Sequence, residues 1–221
     1  GYEPFIATGL SPAETRDIMD SANIHSGIFM NGQVVLYQGK RVYSSEIPTE
    51  MVKKFHQMVK EDGYGFTAYN DKEFYLVEST DGAKDAYGFI HTNPPALNAD
   101  FYIDNPINML LFICLPPAEE KYKEAFPNLD FLRNTPYSVD VISKGNSKAE
   151  GIKRFLEYLN QEDAETYAFG DGPNDIEMLQ AVTHPVAMGN AIPVLKEIAE
   201  FITTDNTDNG IINGLKHYGL I

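Results

Sequence analysis

The chain has 221 residues and a formal net charge of −15, from 17 Lys and Arg against 32 Asp and Glu, with 43% hydrophobic and 22% charged residues. That length affords one large domain or two modest ones, and the composition is that of a soluble globular protein. The acidic balance excludes a nucleic-acid partner, which needs clustered Lys and Arg, and requires that any anionic small ligand be met by a local cation.

The opening residues, "GYEPFIATG", have no basic region followed by a long apolar run, so no signal peptide is expected. "PFIA" (4–7) reads as a short strand running into "TG" and then a helix over "SPAETRDIMDSA". There Ser11, Pro12 and Glu14 make a capping box with proline at the first helical position. "GIFM" (27–30) and "VVLY" (34–37) predict two further strands. "PTEMVKKFHQMVKEDG" predicts a helix with Val52, Phe55 and Val59 on one face, stopped by Gly63. Tyr- and Phe-rich pieces follow ("GFTAY", "EFYLV"), then a loop around "HTNPPALNAD" and the apolar run "INMLLFICL" (107–115). That run is too short to span a bilayer and reads as an interior strand, so no membrane partner is expected. It holds Cys114, the only cysteine, which reads as a buried core thiol; a reducing, cytoplasmic location is the default.

"SVDVIS" (138–143) leads into "SKAEGIKRFLEYLN", where Ser147 and Glu150 suggest a second capping box ahead of a stripe at Ile152, Phe155, Leu156 and Leu159. "TYAF" (166–169), a helix after Pro173, "PVAM" (185–188), the helix "IPVLKEIAEF" and "FITT" (201–204) then alternate. Alternation at both ends implies an α/β fold, a parallel sheet wrapped by helices, while the middle reads as a separate α+β unit inserted into it. The expected limits are residues 1–41 and 141–221 for the two parts of the α/β unit and 42–140 for the insert.

The densest chemical signal is "GDGPND" (170–175), just past the "YAF" run where a strand ends and a helix begins. Gly170 and Gly172 leave the backbone around Asp171 uncrowded, Pro173 suits the first helical turn, and Asp175 falls within that turn. A carboxylate there has a purely structural explanation as a capping charge. The whole pattern is more demanding, since at ordinary residue frequencies it would arise by chance in such a chain roughly once in ten thousand. Hard oxygens with an open coordination sphere suit Mg²⁺, which takes one or two carboxylates plus water and phosphate oxygens. Thr8 and the Gly9 amide stand at another predicted strand end before a helix, and Lys144 of "SKGNSK" at a third. Each alone is unremarkable. Together they would converge on one crevice offering a hydroxyl, an ammonium and a metal-binding carboxylate, which is what a phosphate needs. At about 4 Å and an effective dielectric near 20, one lysine contributes on the order of 4 kcal/mol of attraction to an anion. The 5 histidines show no metal-ligand spacing.

Taken in order, "ATG", "SKG", "GDGPNDIEML", "PVAMGNA" and "TDNTDNGI" resemble the Cof-type phosphatases of the haloacid dehalogenase superfamily. The resemblance covers both ends of the chain and is most specific over 170–191; the middle is weaker, where such proteins carry a variable cap. It implies a Rossmann-like parallel-sheet core, discontinuous in sequence, with an inserted α+β cap. It also implies Mg²⁺-dependent hydrolysis of a small phosphorylated metabolite, a sugar phosphate or a phosphorylated cofactor, through an aspartyl-phosphate. Thr8 and Gly9 would bind the transferring phosphoryl group and Lys144 would neutralise its charge. Asp171 would ligate Mg²⁺, Asn174 would orient the phosphate, and Asp175 would complete the metal's surroundings. Asn31, in "MNG", matches an Asn-Gly of relatives and takes a minor role. Leu10 stands where such proteins often have arginine, which removes one cationic contact.

Such phosphatases also open with a strand ending in Asp-x-Asp-Gly-Thr, whose first Asp attacks phosphorus and whose second is the general acid and base. Residues 1–221 contain no such motif, and "YIDNP" around Asp104 lacks both the second Asp and the Gly-Thr. The expectation is that the motif strand belongs ahead of Gly1 and that residues 1–221 alone are inactive. Phosphomutase-type transfer and a non-catalytic phosphate-binding role are the alternatives.

Overall fold

The computed structural model describes residues 1–221, the side chain of Asn134 excepted. β1 (Ile6–Ala7) runs into α1 (Pro12–Ala22), whose capping box forms as expected: the Glu14 amide donates to Ser11 Oγ at 3.3 Å and the Ser11 amide to Glu14 Oε2 at 2.8 Å. β2 (Gly27–Phe29) lies parallel to β1, but β3 (Val34–Tyr37) and β4 (Lys40–Ser44) pair antiparallel, in the order β1-β2-β3-β4. Strand–helix alternation implied parallel strands throughout. The tight turn Met30–Gly32 is far too short for the crossover that a parallel pair needs, so this part of the sheet folds back as a meander.

The chain then builds a cap. In order come α2 (Thr49–Asp62), β5 (Gly65–Tyr69), β6 (Phe74–Glu78), α3 (Ala83–Phe89) and α4 (Phe101–Asp104). They are followed by β7 (Met109–Ile113), α5 (Glu119–Ala125), β8 (Leu129–Thr135) and β9 (Ser138–Ser143). The strands form one antiparallel sheet in the order β6-β5-β7-β9-β8. Its register separates two faces. Phe66, Phe112 and Val139 stand on one, packed with Phe55 of α2, whose ring meets those of Phe66 and Phe112 edge-on at 5.5 and 5.4 Å. Cys114 belongs to this cluster, and burial pushes its thiol up to about 11, in keeping with an inert core residue. The opposite face carries Tyr69, Met109 and Ile142, which pack on Phe29, Met30 and Val34 from the N-terminal sheet. The expected limits of the insert, 42 and 140, fall inside β4 and β9.

After the cap come α6 (Lys148–Leu159), β10 (Tyr167–Gly170), α7 (Ile176–Ala181), β11 (His184–Ala187), α8 (Pro193–Ile198), β12 (Phe201–Ile202) and α9 (Gly210–His217). β10, β11 and β12 are parallel neighbours, in a sheet separate from that of β1. Ala7 and Ile152 pack into the apolar clusters of both sheets and so hold them together. At the start of α6 the Glu150 amide donates to Ser147 Oγ at 3.3 Å, while the Glu150 carboxylate turns to Arg154 at 4.0 Å, so half of the expected box is made. Among the described residues no helix is long and apolar enough to cross a membrane.

The turn Met30–Gly32 lies against the start of α6. Gly32 has φ +92°, and a Cβ there would collide with the Ser147 carbonyl oxygen. Gly39 also has a positive φ, +74°, but faces open space. Gly32→Ala is therefore expected to cost about 2 kcal/mol and roughly 4–8 °C in Tm, and Gly39→Ala distinctly less, as read by thermal unfolding.

Candidate active site

β10 ends at Gly170, and the chain passes over Asp171 and Gly172 into the turn Pro173–Asp175 that starts α7. Asp175 is only 5% exposed because it folds back under its own loop. Its Oδ2 accepts from the amides of Asp171 and Gly172 at 3.0 and 3.1 Å, and its Oδ1 accepts from Lys148 Nζ at 2.6 Å. The Lys148 side chain is buried as well. A buried ion pair persists when its remaining hydrogen-bonding capacity is filled, and here backbone amides fill it on the acid's side. Asp171 is exposed instead. Its Oδ2 accepts from Asn190 Nδ2 at 2.7 Å, and Asn190 Oδ1 accepts from the Asn206 amide at 3.1 Å. The "PVAMGNA" loop thus meets the aspartate loop at the Asp171 carboxylate, and the "TDNTDNGI" loop joins them through Asn190.

Asn31 connects this loop to the first strand ends. It is buried in a left-handed conformation with φ 53°. Its Oδ1 accepts from Asn174 Nδ2 at 3.1 Å, its Nδ2 donates to Asp140 Oδ2 at 3.1 Å, and its amide donates to the Thr8 carbonyl at 3.1 Å. Gly9 lies against it, since a Cβ on Gly9 would come 3.3 Å from Asn31 Nδ2 and 3.5 Å from Asp140 Oδ2. Thr8 Oγ1 accepts from the Leu10 amide at 3.1 Å, which leaves its own proton available to a ligand. Sequence reasoning gave Asn31 a minor role and left out Asp140, because an Asn-Gly turn and a single acid in a strand carry no chemical pattern.

Thr8, Gly9, Asn31, Asp171, Asn174 and Asp175 therefore share one cluster. Lys144 does not join them. β9, which precedes it, lies between β7 and β8 in the cap sheet. Lys144 Nζ donates to the Pro127 carbonyl at 3.3 Å on the exposed side of the cap, and its amide to the Asn128 carbonyl. The chain needs Gly145, Asn146 and Ser147 to leave the cap, and it is Lys148, the first residue of α6, that reaches the aspartate loop. The signal was present in "SKGNSK": Ser147 is the N-cap, which places the second lysine, and not the first, at the helix start.

Among the described residues no group of three or more His, Cys, Asp or Glu side chains is disposed to hold a metal. A Mg²⁺ ion asks less of the protein, one or two carboxylates with water and phosphate oxygens. Asp171 fits, being exposed with one carboxylate oxygen beyond its contact to Asn190. Asp175 has both oxygens committed to Lys148 and to amides, so it shapes the loop that presents Asp171 and is not itself placed to contact a metal.

Removing one partner of a buried pair leaves the other charge uncompensated, at a cost of about 3–5 kcal/mol. Lys148→Ala should lose stability on that scale in urea unfolding, whereas Lys144→Ala, at the cap surface, should change it by less than about 0.5 kcal/mol.

Comparison with known proteins places the chain in a family. The family profile of haloacid dehalogenase-like hydrolases matches residues 1–215. A Bacillus subtilis (strain 168) protein named as a candidate phosphatase, YkrA, is 37% identical over 223 residues, covering 100% of this chain and 86% of that one. A solved structure of a hypothetical protein from Geobacillus kaustophilus HTA426 superposes with a TM-score of 0.92 at 32% identity, over 98% of this chain and 85% of that one. The structure of a subclass IIB sugar phosphatase of the haloacid dehalogenase superfamily superposes with a TM-score of 0.84 at 27% identity, over 100% of this chain and 87% of that one. From its ordered motifs, its α/β core with an inserted cap and a profile match over almost its whole length, this chain belongs to the haloacid dehalogenase-like hydrolases.

Proposed function

We propose that this haloacid dehalogenase-like phosphatase hydrolyses small sugar phosphates, with Mg²⁺ held at Asp171. The observation that carries the reading is the side chain of Asn31, which lies against Gly9 and bonds to Asn174, next to the loop of Asp171 and Lys148. A phosphoryl group in that space meets the Thr8 hydroxyl, the Gly9 amide and the Asn174 side chain as donors. The Lys148 ammonium, anchored by Asp175, supplies positive charge close by. Bound Mg²⁺ would offset charge on the phosphate oxygens as a Lewis acid.

These residues hold and neutralise an ester. The nucleophile of the aspartyl-phosphate route, and the acid that protonates the leaving alcohol, are not among residues 1–221, so on this reading the segment by itself binds ester without turning it over. With an Asp-x-Asp-Gly-Thr strand in place, the first carboxylate attacks phosphorus as the ester P–O bond breaks and the second Asp gives its proton to the alcohol. Water then releases inorganic phosphate and restores the carboxylate.

Sugar phosphates are favoured over flavin or pyridoxal phosphates because the aromatic rings on the cap strands β5 and β6 pack against other rings of the cap. Phe66 packs on Phe55, Tyr69 stacks on Phe74 at 5.0 Å, and Tyr75 meets Phe101 at 4.9 Å. The cap side chain that bonds to Asn31 is a carboxylate, Asp140.

Phosphate release from a panel of sugar phosphates by the full translation product of the gene tests the proposal. Activity should require Mg²⁺ and vanish with EDTA, free phosphate and not an isomeric ester should accumulate, and Asp171→Ala should fall at least about 100-fold in kcat/KM. Hydrolysis that survives both EDTA and Asp171→Ala would refute it. In calorimetry, residues 1–221 alone should bind inorganic phosphate more tightly with Mg²⁺ than without.

A further inference from the structure

We infer that Asn31 is a positioning residue for phosphoryl binding: its buried amide fixes the sense of the Asn174 side chain, so that Asn174 presents N–H and not carbonyl oxygen to the phosphoryl group. This deepens the phosphatase reading above and rests on it.

The two ends of an asparagine amide are alike in size and opposite in hydrogen bonding, so an unrestrained Asn174 would turn its oxygen to an anion as readily as its N–H groups. The chain settles the sense in two steps. Asp140 carries a carboxylate, which when ionised accepts and does not donate. Its Oδ2 accepts from Asn31 Nδ2 at 3.1 Å, and turning the Asn31 amide over would set oxygen against oxygen. Asn31 Oδ1 is thereby directed at Asn174, whose Nδ2 donates to it at 3.1 Å. Turning Asn174 over would again bring two oxygens together. Nδ2 of Asn174 carries a second hydrogen, and this is the one the phosphoryl group receives.

The backbone is built to hold Asn31 in place. Met30, Asn31 and Gly32 are left-handed in succession, with φ 50°, 53° and 92°. Glycine adopts that conformation freely and methionine does not, so a buried Met30 persists in it only where its surroundings over-determine the turn. Those surroundings are the loop at the end of β1: the Met30 amide donates to the Leu10 carbonyl at 3.0 Å and the Asn31 amide to the Thr8 carbonyl at 3.1 Å. Gly9 lets the Asn31 amide approach, since a Cβ on it would come 3.3 Å from Nδ2 and 3.4 Å from Oδ1. At 2% exposure, Asn31 has little water to take in exchange for its partners. A donor ordered before the anion arrives spares the cost of ordering it on binding.

A double-mutant cycle on the full translation product tests the inference, with calorimetry of inorganic phosphate at saturating Mg²⁺ as the readout. Asn31→Gly deletes the amide and keeps the left-handed backbone, and it should weaken phosphate binding about 5–10-fold. Asn174→Ala should weaken it about 10-fold or more. On the Asn174→Ala background, Asn31→Gly should add less than about 2-fold, because the side chain it positions is gone. A merely structural Asn31 would weaken binding by its full factor on either background, and that result overturns the inference; so does an Asn31→Gly protein that binds phosphate as the wild type does. A second measurement needs no change at Asn31. In NMR spectra of the wild type, the Asn174 side-chain NH₂ pair is assigned by its loss in Asn174→Ala. One proton should exchange slowly with water, being given to Asn31, and the other should shift when phosphate is added. A pair that exchanges fast and does not shift overturns the inference even if Asn31→Gly fails to fold. A wild type that binds no phosphate and hydrolyses no ester defeats the phosphatase reading and this inference together, whereas an active enzyme with additive substitutions defeats the role of Asn31 alone.

Discussion

A carboxylate at a helix start is ordinarily a solvated capping charge. Asp175 is buried instead, with two loop amides on one oxygen and the Lys148 ammonium on the other. That arrangement decides the shape of residues 170–175, because the amides of Asp171 and Gly172 must turn inward to reach it, which leaves the Asp171 side chain outside. It also ties α7 to the first residue of α6. Since α6 begins where the chain leaves the cap, the same ion pair positions the cap exit relative to the aspartate loop. The desolvation of two charges is a large cost, and the network of amides offsets it only in this one geometry.

Asn31 extends the network across the molecule. An amide side chain both donates and accepts, so one residue bonds Asn174 on one side and Asp140 of the cap on the other, while its backbone holds the Thr8 carbonyl. The crossings between core and cap are tied by amides too. Asn108 Nδ2 donates to Ser44 Oγ and to the Ser45 carbonyl at 2.9 and 2.7 Å, and Gln33 Nε2 to the Ser143 carbonyl at 3.4 Å. Outgoing and returning chain are thus held by short polar side chains from flanking strands. The cap sheet adds its apolar contacts on Phe29, Met30 and Val34, so the cap is placed by packing and registered by hydrogen bonds.

Much of this was legible beforehand. The Ser11 cap, the stripe of Val52, Phe55 and Val59, the interior strand around Cys114 and the strand–turn–helix at 167–179 depend on local periodicity and capping chemistry, which a linear pattern carries. The choice of lysine was misread because "SVDVIS" is apolar enough for a strand in either unit. Nothing local says that β9 pairs with β7 and β8, and that pairing sends Lys144 to the cap surface. Likewise the alternation of strands and helices at the N-terminus gave no warning that β2, β3 and β4 form a meander, although the short Met30–Gly32 turn contained the reason.

The sequence by itself determined the family, the α/β core with an inserted cap, and the acidic loop on which the site is built, because motif spacing and side-chain period act over a few residues. Only the tertiary structure decided that Lys148 and not Lys144 serves that loop, that Asp175 supports it from beneath, and that Asn31 and Asp140 meet. Those contacts join residues 27 to 143 positions apart. Their free energy comes from burial and from hydrogen bonds completed across separate elements, and no short stretch of chain contains either.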